Sequence, residues 1–274
     1  MTSPHAYYRV LSIAGSDSGG GAGIQADLKT FSALGCYGMS VITAITAQNT
    51  QGVKKIHGVP TEMVQAQWEA IMEDMGVDAI KIGMLHNTAV IEAVINLLHT
   101  LPSHIPVVLD PVMMAKGGAP LLEANAIDTL RTHLLPCATV ITPNLPEAEV
   151  LCQQPFPVQE AAITAARKLA VGKVAAVVIK GGHSGEKTTS DDCVYLKETD
   201  NIEWLLGRRI NTRNTHGTGC TFSSAVAAYL AKGEPLIDAL DKAKRYVQGA
   251  IEMGNDYRLG KGHGPVHHFH NWWI

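Results

Sequence analysis

Residues 10–23 read Val-Leu-Ser-Ile-Ala-Gly-Ser-Asp-Ser-Gly-Gly-Gly-Ala-Gly. A short apolar run, 10–14, ends in a glycine-rich loop, and a helical spacing follows through Ile24, Leu28, Phe31 and Leu34. Strand, glycine loop and helix in that order open a β-α unit. The loop is not the dinucleotide fingerprint, because Ile24 stands where the last glycine of Gly-x-Gly-x-x-Gly would fall. No Gly-x-x-x-x-Gly-Lys-Ser/Thr occurs in the chain, which excludes a P-loop. A glycine run that only packs a helix on a strand stays open as the alternative. Asp27, one turn into the helix, reads as a surface carboxylate favoured by the helix dipole.

The unit repeats along the chain. Apolar runs at 39–46, 79–82, 107–109, 139–142 and 174–180 read as strands. The last is nearly continuous, as expected of a strand buried on both faces. Helical spacing recurs at 61–75, 90–98, 127–135, 146–151, 161–170 and 236–253, and an alanine-rich run follows Cys220. Segments 193–196 and 202–206 read as a hairpin at a sheet edge. The alternation predicts an α/β fold: one three-layer α/β/α domain over 1–274, with a largely parallel sheet. Ligands of such sheets bind beyond the carboxyl ends of the strands. The 15–23 loop, Gln48, Asp110, Asn144 and Lys180 all fall at such ends.

Composition narrows the class. The chain has 274 residues, 46% of them hydrophobic, enough for a full core. Its net charge of −3 comes without a basic block, so neither nucleic acid nor an acidic membrane surface is expected as a partner. Five cysteines (36, 137, 152, 193 and 220) form an odd set without a Cys-x-x-Cys pair, which predicts reduced thiols in a cytoplasm. The polar stretch 1–9 has no apolar signal core, and no window is apolar enough to span a membrane.

Three further motifs carry chemistry. Asn-Thr-His-Gly-Thr-Gly-Cys-Thr-Phe-Ser (214–223) is a polar loop turning into a helix. The unpaired N–H groups of a first helical turn suit an anion, and the helix N-terminus is expected to favour a Cys220 thiolate. A glycine-rich helix start with a small buried cysteine is the alternative. Thr-Pro-Asn-Leu-Pro-Glu (142–147) sets an amide and a carboxylate three residues apart. They suit a hydrated Mg²⁺, a helix capping box, or both. Lys180-Gly181-Gly182-His183 ends a buried strand with a cation, either for phosphate or simply emerging into solvent. His216 reads as a hydrogen-bonded loop histidine. His267, His268 and His270 lack carboxylate or cysteine companions and read as a tail packed by its aromatics rather than a metal site.

Together, segments 14–30, 46–50 (Thr-Ala-Gln-Asn-Thr), 81–85 (Lys-Ile-Gly-Met-Leu), 142–148, 180–183 and 214–221 closely resemble the hydroxymethylpyrimidine/phosphomethylpyrimidine kinases of thiamine biosynthesis. The ending Gly-Lys-Gly-His-Gly-Pro-Val-His-His-Phe-His does so too, and the likeness covers essentially the whole chain. The resemblance implies a ribokinase-like fold, ATP and Mg²⁺, and a homodimer. It implies that Gly217, Gly219 and Cys220 form an anion hole over the transferring phosphoryl group, with Cys220 where most ribokinase relatives carry a catalytic aspartate. Gly15, Asp27, Gln48, Met84 and Val112 match the pyrimidine pocket. Asn144 and Glu147 match the magnesium motif. Asp110, Lys180, Thr215, Gly217, Thr218 and Gly219 match the ATP site, with Lys180 also counted in the catalytic set. Gly21 departs from relatives, whose loop is often less glycine-rich. The implied reaction is phosphorylation of 4-amino-5-hydroxymethyl-2-methylpyrimidine to its monophosphate and then its diphosphate. A pyridoxal or pyridoxine kinase, and a nucleotide-binding regulator that has lost catalysis, are the alternatives.

Overall fold

A computed structural model of the chain describes residues 6–115, 117–156, 161–183 and 188–273. The first five residues of the polar 1–9 stretch lie outside them. Nine strands form one sheet in the described residues: β1 (Arg9–Asp17), β2 (Tyr37–Asn49), β3 (Gly52–Gly58), β4 (Ala79–Ile82), β5 (Val107–Leu109), β6 (Val140–Ile141), β7 (Ala176–Ile179), β8 (Asp192–Leu196) and β9 (Asn201–Leu205). Their order is β3-β2-β1-β4-β5-β6-β7-β8-β9. The pairings from β2 through β7 are parallel, while β3, β8 and β9 add antiparallel edges. Eight α-helices among the described residues join them: α1 (Gly23–Ala33), α2 (Thr61–Asp74), α3 (Thr88–Leu98), α4 (Ala126–Thr129), α5 (Leu145–Cys152), α6 (Ala161–Leu169), α7 (Thr218–Ala231) and α8 (Leu236–Gly254).

Strand alternation sorts the side chains into two cores. Leu11, Ile13, Ile80, Ile82, Leu109 and Val177 pack toward α2, α3, α5 and α6. Val10, Ala79, Val108, Ala176 and Val178 pack toward α1, α7 and α8, against Phe31, Phe222, Ala225 and Leu240. Each core is apolar because parallel strands covered on both faces leave no position for water. The result is the expected α/β/α sandwich.

Three local expectations change. β3 (Gly-Val-Lys-Lys-Ile-His-Gly) was not expected, because it is an edge strand whose Lys54 and Lys55 face solvent. The helix expected over 127–135 is split: α4 gives way to a π turn at Leu130–Leu134 and a 3-10 turn at Leu135–Cys137. Pro136, which has no N–H to donate, sits in that last turn. The first strand also runs on through Gly15 to Asp17, with a register shift between Ala14 and Ser16, so the glycine loop is shorter than its sequence suggests. No helix among the described residues is long and apolar enough to cross a membrane.

Candidate active site

The carboxyl ends of the strands bring the expected residues to one side of the sheet. Beyond β5, Asp110 is buried and accepts a 2.6 Å hydrogen bond from Lys180, the residue after β7. Glu147 Oε2 lies 3.9 Å from the same ammonium. Burial, aided by Asp110 and opposed by Lys180, pushes the Glu147 carboxyl up to about 7. Asn144 and Glu147 also form a complete capping box: Asn144 Oδ1 accepts from the Glu147 N–H at 2.8 Å, and Glu147 Oε2 accepts from the Asn144 N–H at 2.8 Å. The cap fixes both side chains at the start of α5, and an isolated bridge between Asn144 and Lys180 ties that start to the end of β7. No group of three His, Cys, Asp or Glu side chains among the described residues is arranged to hold a metal ion by itself. The Glu147 and Asp110 carboxylates beside Lys180, with the Asn144 amide, are oxygen donors of the kind Mg²⁺ takes, an ion that keeps several waters and draws further ligands from a nucleotide.

The second glycine loop leads into the start of α7. Gly217 is its N-cap at φ +81°, a left-handed backbone that favours glycine. A Cβ there would also overlap the Gly21 carbonyl, so this turn packs directly on the first glycine loop. Gly219 faces the Lys180–Asp110 pair: a Cβ on it would stand 3.3 Å from Lys180 Nζ and 3.4 Å from Asp110 Oδ2. Thr218 Oγ1 donates to the Thr215 carbonyl at 2.8 Å, closing the turn before the helix. Cys220 therefore lies in the first helical turn, where its sequence placed it. Its thiol departs from expectation, however. Burial pushes it up to about 11, outweighing the pull of Lys81 and of the Gly23 N–H.

Gly15 and Met84 meet: a Cβ on Gly15 would come within 2.9 Å of Met84 Sδ. Met84 shares a small apolar cluster with Ala44, Leu121 and Val112, so Gly15, Met84 and Val112 line one corner. The Gln48 end group accepts from Thr46 Oγ1 at 3.2 Å and has its Nε2 3.3 Å from His216 Nε2. Asp27 is not the surface carboxylate its sequence position suggested, because it pairs with a buried cation, and it lies deeper than a ligand-facing carboxylate. It is fully buried and accepts from Ser12, Ser224 and Lys81 at 2.6–2.9 Å.

Sequence reading gave no role to Asp17, Lys81, Ser12 or Ser224. Asp17 organises the glycine loop by accepting from the N–H groups of Gly19, Gly21 and Ala22. His216 lies 2.9 Å from its Oδ2, which gives the loop histidine its hydrogen bond. The signal available was position alone: an aspartate before glycines and a histidine before the second glycine loop. The C-terminal tail packs through its rings, with His267 against Tyr257 and Trp273, while His268 Nε2 meets Thr221 Oγ1 of α7.

The sequence model of the family described as phosphomethylpyrimidine kinase matches residues 17–267. The chain belongs to this family. It is 49% identical over 264 residues to a hydroxymethylpyrimidine/phosphomethylpyrimidine kinase of Rhizobium meliloti, covering 96% of this chain and 97% of that one. A thiamine biosynthesis bifunctional protein of Geobacter sulfurreducens is 48% identical over 94% of this chain, which spans 52% of that longer protein. Among solved structures, an ADP complex of Bacillus subtilis pyridoxal kinase superposes with a TM-score of 0.87 at 39% identity, covering 96% of this chain and 98% of that one. The phosphomethylpyrimidine kinase family thus shares its ribokinase-like fold with a vitamin kinase acting on another ring.

Proposed function

We propose that this chain is an ATP-dependent kinase of 4-amino-5-hydroxymethyl-2-methylpyrimidine, phosphorylating its hydroxymethyl group and then the resulting monophosphate, for thiamine biosynthesis. The observation that carries the reading is near-full-length identity of about half to a kinase named for both steps. The site chemistry agrees with it. Phosphoryl transfer requires mainly positioning and neutralisation of charge. The N–H groups at Gly217–Cys220 and the Lys180 ammonium face the place where a γ-phosphoryl group would develop charge, with Thr215, Thr218 and Asp110 beside it. Mg²⁺, when bound near Asn144 and Glu147, would neutralise phosphate charge.

Gly15, Met84 and Val112 supply an apolar wall for the pyrimidine and Gln48 its polar edge, while Asp27 is sealed by Ser12, Lys81 and Ser224 and offers the ring no direct contact. With the His216 Nε2 proton directed at Asp17, the Gln48 NH₂ finds no acceptor there and is left for a ligand. Cys220 takes the hydroxyl proton. Because its thiol is high, the thiolate is scarce at neutral pH but strongly basic once formed. The likeness to pyridoxal kinase favours a second activity on pyridoxal.

One domain over the whole chain, a homodimer and a cytoplasmic location belong to the same proposal. The continuous nine-stranded sheet supports the single domain; the homodimer and the location rest on the family resemblance. ADP release measured with the pyrimidine, with pyridoxal and with neither separates the readings. The proposal expects pyrimidine-dependent release to dominate. Release that no substrate stimulates would mark a regulator that has lost catalysis.

A further inference from the structure

β4 reads Ala-Ile-Lys-Ile and every residue of it is buried. A lysine almost never occupies such a place unless it is paired. Lys81 has no exposed side-chain surface, and its Nζ lies 2.8 and 2.9 Å from the two oxygens of Asp27. Ser12, the cross-strand partner of Lys81 on β1, donates to Asp27 Oδ2 at 2.6 Å. Ser224 on α7 donates to Asp27 Oδ1 at 2.7 Å. Asp27 thus accepts four contacts in a closed cluster. Such a buried pair is poor as a stabiliser, since apolar residues of the same volume usually do as well. Its position suggests another use. Ser224 is four residues beyond Cys220 on the same helix, so the two share a face and the pair lies one turn below the sulfur.

Two lysine–aspartate pairs and one backbone donor act on Cys220: Lys81 and the Gly23 N–H pull its thiol down, Asp27 and Asp110 push it up, and Cys220 in turn raises Lys180. The pairs differ in access. The Lys180 side chain is 17% exposed and open to a phosphate, whereas Lys81 is sealed. A nucleotide phosphate would draw Lys180 away from the sulfur but leave Lys81 in place.

We propose that Lys81 is a positioning residue for Cys220, a permanent buried cation that holds the thiolate within reach while Asp27 keeps that cation charged and fixed. The proposal rests on the reading of Cys220 as the proton acceptor. Its test reads the sulfur directly, so failure of one does not imply failure of the other.

The experiment is alkylation of Cys220 by iodoacetamide, followed by mass spectrometry of the Cys220 peptide between pH 7 and 9.5. It compares wild type, Lys81→Met, Asp27→Asn and the double variant, each with its melting temperature. Lys81→Met removes the cation and leaves a carboxylate, so alkylation slows. Each unit by which the thiol rises removes about tenfold of the thiolate, partly offset by greater nucleophilicity, for a net loss of about threefold. Asp27→Asn acts in the opposite direction and speeds alkylation. A merely structural pair would move both variants the same way. Should Lys81→Met fail to fold, Asp27→Asn against the double variant isolates Lys81, and the double variant must react more slowly. Rates unchanged by loss of Lys81 in a folded protein, or single variants shifted in the same direction, would overturn the proposal. A slowed Cys220 with undiminished kinase turnover would instead keep the coupling and remove Cys220 from the proton transfer.

Discussion

His216 Nε2 and Asp17 Oδ2 stand 2.9 Å apart across 199 residues of sequence. This contact joins the two glycine loops: Asp17 holds Gly19, Gly21 and Ala22, and His216 precedes Gly217, the N-cap of α7 and part of the proposed anion hole. His216→Ala should therefore loosen the anion hole without removing any group from it. Loss of one partner of a buried polar contact costs about 1–3 kcal/mol, which is roughly 5–150-fold. That loss is expected in kcat/KM for the pyrimidine, with a lowered melting temperature. Unchanged kinetics in His216→Ala would show that the loops hold their places independently.

The same contact sets a pH dependence of stability. Burial pushes the Asp17 carboxyl up, but the His216 contact and the Gly19 and Ala22 N–H groups outweigh it, leaving Asp17 below its ordinary value of 3.8. A carboxyl lowered on folding contributes stability that is present above its unfolded value and lost as pH falls through the folded one. Asp17→Asn should flatten the decline of the urea midpoint below about pH 4, while lowering the midpoint at neutral pH. An acid decline as steep as that of wild type would remove Asp17 from the account.

The Cys220 thiol, raised to about 11 by burial, gives the chemical step a rising pH profile. Below that value the thiolate fraction grows about tenfold per pH unit, so single-turnover phosphorylation should climb with pH from 7 to 9. Cys220→Ala should be flat over that range and lower by roughly 10²–10⁴-fold, the usual worth of a general base. Binding of ATP and pyrimidine should change little. Cys220→Ser should also fall short, because a hydroxyl gives up its proton far less readily than a thiol. A Cys220→Ala enzyme with the wild-type rate and slope would return Cys220 to a packing role.

Gln48 is expected to choose the ring. Its amide offers a donor and an acceptor side by side, complementary to the exocyclic amine and ring nitrogen of an aminopyrimidine. Gln48→Leu should weaken the pyrimidine by roughly 5–150-fold and spare pyridoxal. Equal losses for both rings, or early melting, would mean that its contacts with Thr46 and His216 only brace the end of β2.

The fold was legible where both faces of the sheet are covered, because apolar runs such as Val107–Leu109 admit no other reading. It was not legible in β3, where the lysines of a solvent-exposed edge erase the apolar pattern. The gathering of glycines and polar residues at the strand ends, where the candidate site lies, could also be read. The capping box of Asn144 and Glu147 could be read as well, since capping is local chemistry. The Asp17–His216 and Asp27–Lys81 pairs could not. Each joins residues distant in sequence, and spacing says nothing about which carboxylate a buried cation finds.

The central claim is that one site adds two phosphoryl groups to the same pyrimidine. The most direct measurement is a time course of products, resolved by mass, from the purified chain with ATP, Mg²⁺ and 4-amino-5-hydroxymethyl-2-methylpyrimidine. The account predicts a monophosphate that rises and then gives way to the diphosphate, with one ADP released per phosphoryl group transferred. Turnover of pyridoxal with no phosphorylated pyrimidine at any time would contradict it.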